Sequence, residues 1–182
     1  MAKAVRHDDT ANGDMKDARA SLVAECAREE ENALYTSTTF FIWLRFLKAI
    51  RAALWVGAAI GSTMAASHIL SGNPDMKLFM AAASLAGVLL PGIGRALRLD
   101  TLIREYRDAA GKFKNLQGEF RRARLVWSKL EFVEFEGEAR KLFRAMNDAR
   151  KPSFTPPELC FRLARRKIKG GDYAHDSDSA GE

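Results

Sequence analysis

Few residues in this chain are of a type that could do chemistry, and their spacing argues against it. The histidines are His7, His68 and His175, and the cysteines are Cys26 and Cys160. His7-Asp8-Asp9 and His175-Asp176 set an imidazole beside carboxylates, as a general base requires, but both lie in polar end segments with no rigid element to hold them. Neither cysteine belongs to a CxxC or Cys/His array, so free thiols are expected rather than a zinc site or a structural disulfide. Pro91-Gly92-Ile93-Gly94 is glycine-rich, yet it sits inside an apolar stretch and not between a strand and a helix, so it is no phosphate loop. No enzyme activity, cofactor or metal is expected. One cluster offers binding chemistry: Arg162, Arg165, Arg166, Lys167 and Lys169 crowd a short segment and suit an anionic lipid or a phosphate-bearing ligand, although such a run more often marks a solvated helix face.

The elements that would position these residues are organised around two apolar stretches without acid, lysine or arginine. Ala52 to Leu70 and Leu78 to Gly94 are separated by Ser-Gly-Asn-Pro-Asp-Met-Lys. Each approaches the roughly 20 residues that cross a ~30 Å hydrocarbon core. Asn73-Pro74-Asp75 cannot continue a helix, so the two stretches are expected as antiparallel neighbours in a membrane hairpin. The chain has 182 residues, 47% of them apolar, and a net charge of +6. Its mean hydropathy of -0.22 conceals this segregation of charge from apolar residues. Basic residues beside the apolar stretches make a lipid surface the expected partner, and nucleic acid is not expected.

Arg45, Lys48 and Arg51 precede the hairpin, and Arg95, Arg98, Arg104 and Arg107 follow it, whereas the connector holds only Lys77 beside Asp75. The positive-inside rule then places both termini in the cytoplasm. The N-terminus lacks an apolar signal core, so the hairpin itself must direct insertion into the inner membrane. Tyr35, Phe40, Phe41, Trp43, Phe46 and Trp55 crowd the approach, either as rings at the headgroup level along the inner face or as an extension of the first helix into a cytoplasmic bundle.

Within the hairpin, Ala53, Gly57, Gly61 and Ala65 recur every four residues, and Ala58, Ser62 and Ala66 widen that face. Ala83 and Gly87 give the second stretch a shorter version of it. Close backbone approach at small residues is a main route to helix association in lipid, either within the hairpin or between copies. Pro91, Gly92 and Gly94 are expected to form a hinge at the inner end of the second stretch, or simply to mark its exit from the membrane. His68 reads as an interfacial histidine, and a proton-driven transporter is disfavoured because no other titratable group lies in either stretch. A pore lined by Ser62, Thr63 and backbone remains open.

Downstream, Leu99, Leu102, Tyr106, Ala109, Phe113, Leu116, Phe120, Ala123, Trp127 and Leu130 follow a three-four spacing that predicts a long amphipathic or coiled-coil helix. The phase slips over Glu131 to Glu138 and restarts with Ala139, Leu142, Phe143 and Met146, which predicts a break near Gly137. Pro152 ends that helix, and Pro156-Pro157 precede a final segment, Glu158 to Lys169. Upstream, Met15, Ala18, Leu22, Cys26 and Ala33 form the apolar face of a charged helix. The expected fold is an all-α membrane protein, a two-helix transmembrane hairpin with a cytoplasmic antiparallel helical bundle or coiled coil. Its divisions are a disordered N-terminus at 1–13, a helix and aromatic approach at 14–51, the hairpin at 52–94, a helical arm at 95–169 and a disordered acidic tail at 170–182.

This order resembles the SLATT family, the SMODS and SLOG-associating two-transmembrane effectors. The residues that carry the likeness are TTFFIWLRFLKAIRAALW, the hairpin, LDTLIREYRDAAGKFKNLQGEFRRARLVW and PSFTPPELCFRLARRKIKGGD. The resemblance implies a bacterial conflict-system effector that assembles into membrane pores when an upstream sensor or nucleotide second-messenger synthase signals infection. A homo-oligomer is implied, and no catalytic residue. Competing with it are a membrane-anchored scaffold that recruits partners through the coiled coil, and a soluble bundle that buries both apolar helices.

Overall fold

The computed structural model describes the backbone of residues 2–71, 77–151 and 155–171, and the side chains of 13–63, 81–151 and 155–171. Asn73-Pro74-Asp75, Pro152, His175-Asp176 and most of the acidic tail lie outside the described residues, as do the side chains of His7, Ala65, Ala66 and His68. All regular structure among the described residues is helical: α1 (Ala2–Ser71), α2 (Lys77–Ala96), α3 (Leu99–Leu125), α4 (Phe132–Arg150) and α5 (Glu158–Lys169), with a 3-10 turn at Trp127–Lys129. Two compact units divide the chain, one built from Met1–Phe40 with Asp108–Glu182 and the other from Phe41–Arg107.

The first unit is a helical bundle. Cys26, Ala33, Ser37 and Phe40 of α1 are buried, along with Ala110, Phe113, Leu116, Phe120 and Ala123 of α3, Phe135, Ala139 and Met146 of α4, and Cys160 and Ala164 of α5. Phe40 meets Phe113 edge-on at 5.7 Å, and Phe120 meets Phe143 at 5.5 Å. Glu30 pairs with Arg124 at 3.1 Å and Glu29 with Arg150 at 2.6 Å. These contacts run α3 antiparallel to α1, and Met15 and Ala18 extend beyond the buried stripe as exposed positions. Polar residues enter the core without orphaned groups because a helix offers local acceptors: Ser37 donates to the Leu34 carbonyl at 3.1 Å and Thr39 to the Tyr35 carbonyl at 2.8 Å. Glu25 and Cys26 show the same economy of charge, since burial first and then the Glu25 carboxylate push the Cys26 thiol up to about 11. Burial likewise raises Cys160.

Three details correct the sequence reading of the long arm. Ile103 and Ala110 are buried where Leu102 and Ala109 were expected, and the latter pair is only half-buried. On a helix both the third and fourth neighbour of Leu99 and Tyr106 share their side, and the packing partner selects between them. The break falls at Trp127–Lys129, and Gly137 lies inside α4, where an added Cβ would meet nothing within 4 Å. A mid-helix glycine costs only about 1 kcal/mol, which α4 tolerates. Leu130, placed on the seam by its spacing, is 41% exposed beyond the end of α3.

The break has a specific partner. Arg19 of α1 donates to the Ser128 carbonyl at 2.5 Å and to the Leu130 carbonyl at 2.8 Å, capping oxygens that the interrupted helix leaves unpaired. Arg19→Met keeps the aliphatic stem and removes both donors. The expected loss is about 1–3 kcal/mol of bundle stability, read by chemical denaturation; an unchanged midpoint would show that water replaces the guanidinium fully.

The second unit contains the rest of α1, all of α2 and the opening turns of α3. Ile42, Leu44, Leu47 and Ala58 of α1 are buried with Leu99, Ile103 and Tyr106 of α3, and Trp43 meets Tyr106 edge-on at 6.4 Å. The aromatic approach is part of one uninterrupted helix, α1. α2 runs through Pro91, Gly92 and Gly94 to Ala96, and the chain turns at Leu97–Arg98. Arg98, just beyond the end of α2, has a left-handed φ of 48°, a conformation that costs a non-glycine residue about 1–2 kcal/mol. Among the described residues no single helix is long and apolar enough to cross a membrane. Among the described residues one bent pair, Ala81–Ala96 with Leu99–Lys129, reaches that length and composition together, and the charges from Asp100 onward leave α2 as its apolar part.

Candidate functional site

The hairpin is built from residue types that pack in an unusual sense. Gly61 of α1 is buried against the α2 backbone, where a Cβ would stand 2.5 Å from the Ala83 carbonyl oxygen and 3.2 Å from the Gly87 nitrogen. Across the seam, a Cβ on Gly87 would meet the Ser62 hydroxyl oxygen at 3.0 Å and the Ser62 nitrogen at 3.3 Å. Gly57 faces a Leu90 methyl, and Gly94 faces Leu54. The pairing of 54 with 94, 57 with 90 and 61 with 87 makes the two helices antiparallel neighbours. Of the small-residue face, Gly57, Gly61, Ala83 and Gly87 are engaged within the hairpin, Ala53 is exposed, and the Ala65 side chain lies outside the described residues.

Because small residues occupy most of the seam, large residues other than Leu54 and Leu90 point away from it. Trp55, Val56 and Ile60 of α1 are 55–61% exposed, and Leu85, Val88, Leu89 and Ile93 of α2 are 46–73% exposed. In water each such side chain forgoes about 1.5–3 kcal/mol of burial. Soluble monomers rarely leave so many together. Ser62 and Thr63 are the described polar groups of α1 within this band, and both hydroxyls donate to their own helix, at the carbonyls of Ala58 (2.8 Å) and Ala59 (2.9 Å). At the base of the band a pocket of about 210 Å³ is lined by Arg51, Trp55, Pro91, Arg95 and Asp100, with Arg51 and Asp100 paired at 2.7 Å. Arg45, Lys48, Arg51, Arg95 and Arg98 are all exposed, so cations ring the end of the hairpin from which the apolar face begins.

The five basic residues of α5 are all exposed but have different surroundings. Arg162 is held by Glu158 one turn back at 2.8 Å, and Arg166 and Lys167 are exposed on the outside of the helix. Arg165 and Lys169 instead line a groove shared with α1, where Arg150 joins them. Spacing alone shows only that Arg165 and Lys169 share a ridge; the third cation comes from α4 and has no signal in the local sequence. Among the described residues no group of His, Cys, Asp and Glu is arranged to hold a metal. Comparison with known proteins adds no relative: no family model matches the chain, and neither a curated protein nor a solved structure matches it.

Proposed function

We propose that this chain is a membrane effector. Its hairpin, Ala52–Leu70 with Leu78–Gly94, inserts into the cytoplasmic membrane with both termini inside, and copies assemble there into a pore or membrane-disrupting oligomer when an upstream partner signals. The partner class, a sensor or nucleotide second-messenger synthase of a bacterial conflict system, follows from the likeness to the SLATT family. One observation carries the membrane reading: the hairpin packs its small residues inward and presents Trp55, Val56, Ile60, Leu85, Val88 and Leu89 outward. That distribution suits hydrocarbon as solvent, where close backbone approach holds helices together and large apolar side chains face the lipid. Exposed cations at the base match the cytoplasmic headgroups. Since the small-residue seam is used within the hairpin, contacts between copies fall to the outward face.

A second reading, a membrane-anchored scaffold without ion flow, is favoured by Ser62 and Thr63, whose hydroxyl protons are committed to their own helix and leave little to line a water-filled lumen. Reconstitution of the full chain into dye-loaded liposomes separates the two. The effector reading expects alkaline-carbonate-resistant protein that releases dye; resistant protein without release establishes the anchor, and extraction by carbonate defeats both. Topology is read by introduced cysteines, because the native thiols are buried and kept protonated. Ser71→Cys should react with an impermeant reagent in intact cells, and Ser21→Cys and Thr155→Cys should not.

A further inference from the structure

In the bundle, α5 lies along α1 so that two hollows meet at Thr36 and Phe161. The first, of about 650 Å³, is lined by Glu31, Asn32, Tyr35, Arg150, Arg165 and Lys169 in addition to those two. The second, of about 420 Å³, adds Thr39, Phe40, Thr155, Pro156 and Glu158. We infer that this groove binds a small phosphate-bearing molecule with a flat apolar ring, the class to which mononucleotides belong. Phe161, Arg165 and Lys169 are four apart in succession and form one ridge of α5, so the two cations stand about 5–6 Å apart at Cβ and reach a single phosphate together. Neither has an ion-pair partner among the described residues, whereas Arg162 on the next ridge is occupied by Glu158. Arg150 is already paired with Glu29 at 2.6 Å, which fixes its guanidinium at the groove while leaving donors for a second acceptor.

The ring component follows from Phe161. Its centroid lies 6.2 Å from that of Tyr35, already in contact, so no third ring enters between them. Phe161 is nevertheless 48% exposed, and its free face opens into the second, more apolar hollow beside Phe40 and Pro156. Asn32 supplies an amide for ring or phosphate edges, and Thr36, whose hydroxyl donates to the Asn32 carbonyl at 2.8 Å, retains an acceptor. Glu31 opposes the anion at the rim and Glu158 closes the far end, so the preference is for a ligand that keeps its charge near Arg165 and Lys169.

The test is calorimetric titration of the full chain in detergent micelles with ATP, AMP and inorganic pyrophosphate, and with phosphatidylcholine vesicles with and without phosphatidylglycerol. ATP is expected to bind, and Arg165→Ala with Lys169→Ala to weaken it by about tenfold or more, since hydrogen bonds between charged groups are worth that much. Phe161→Ala should remove the preference for ATP over pyrophosphate, and Glu31→Gln should tighten both. Arg166→Ala, exposed and outside the groove, should change nothing. Equal loss in Arg166→Ala would reduce the effect to general charge, binding of pyrophosphate as tight as ATP would remove the ring, and response to phosphatidylglycerol vesicles alone would make the cations a lipid contact; each overturns the proposal. None of these readouts depends on whether the hairpin forms pores.

Discussion

Gly61→Ala is expected to be the most damaging single-methyl change in the hairpin. The added Cβ meets backbone, the Ala83 carbonyl oxygen at 2.5 Å, and backbone cannot rotate away as a side chain can. The helices must separate, at a cost typical of overpacking, about 1–3 kcal/mol or above. Two neighbouring glycines provide the scale. Gly57→Ala meets only the terminal methyl of Leu90 at 3.1 Å, which yields at little cost, and Gly92→Ala meets nothing within 4 Å and should gain up to about 1 kcal/mol of helix propensity. Thermal unfolding in detergent should rank Gly92→Ala above wild type, Gly57→Ala close to it and Gly61→Ala far below. A wild-type Tm for Gly61→Ala would mean that the seam is not closed in solution. The same geometry sets the meaning of a Gly57→Leu, Gly61→Leu double variant: loss of activity there reports an opened hairpin, not a lost contact between copies.

Val88→Arg is expected to abolish stable membrane insertion. Val88 is 73% exposed near the middle of the second apolar stretch, and an arginine at the centre of a spanning helix costs about 2.5–3.5 kcal/mol, close to a hundredfold in the inserted fraction. At the surface of a water-soluble bundle the same change would stay within about 0.5 kcal/mol. Val133→Arg, on α4 and 79% exposed, is the matched control and should leave fractionation unchanged. Equal carbonate resistance of both variants would remove the bilayer as the occupant of the outward face and leave a second copy of the chain in its place.

What the sequence determined by itself was local or one-dimensional. Helical periodicity placed the line Leu99, Tyr106, Phe113 and Phe120 in the core, and all four are buried. The segregation of charge from 52–94 identified the hairpin, and α5 ends where the Gly170 and Gly171 N–H groups donate to the carbonyls of Arg166 and Ile168, with Gly171 at φ 83°. These properties are legible because each depends on neighbours within a turn or two of the same chain. Tertiary structure alone decided which neighbours met. It chose Ile103 over Leu102 and moved the arm's break from Gly137 to Trp127, where Arg19 reaches the freed carbonyls from more than a hundred residues away in sequence. It assigned Gly61 to α2, and it divided five cations between an ion pair, an outer face and a groove completed by Arg150. The physical reason is common to all of these: a helix offers several nearly equivalent faces, and only the shape and charge of the partner laid against it make one of them the inside.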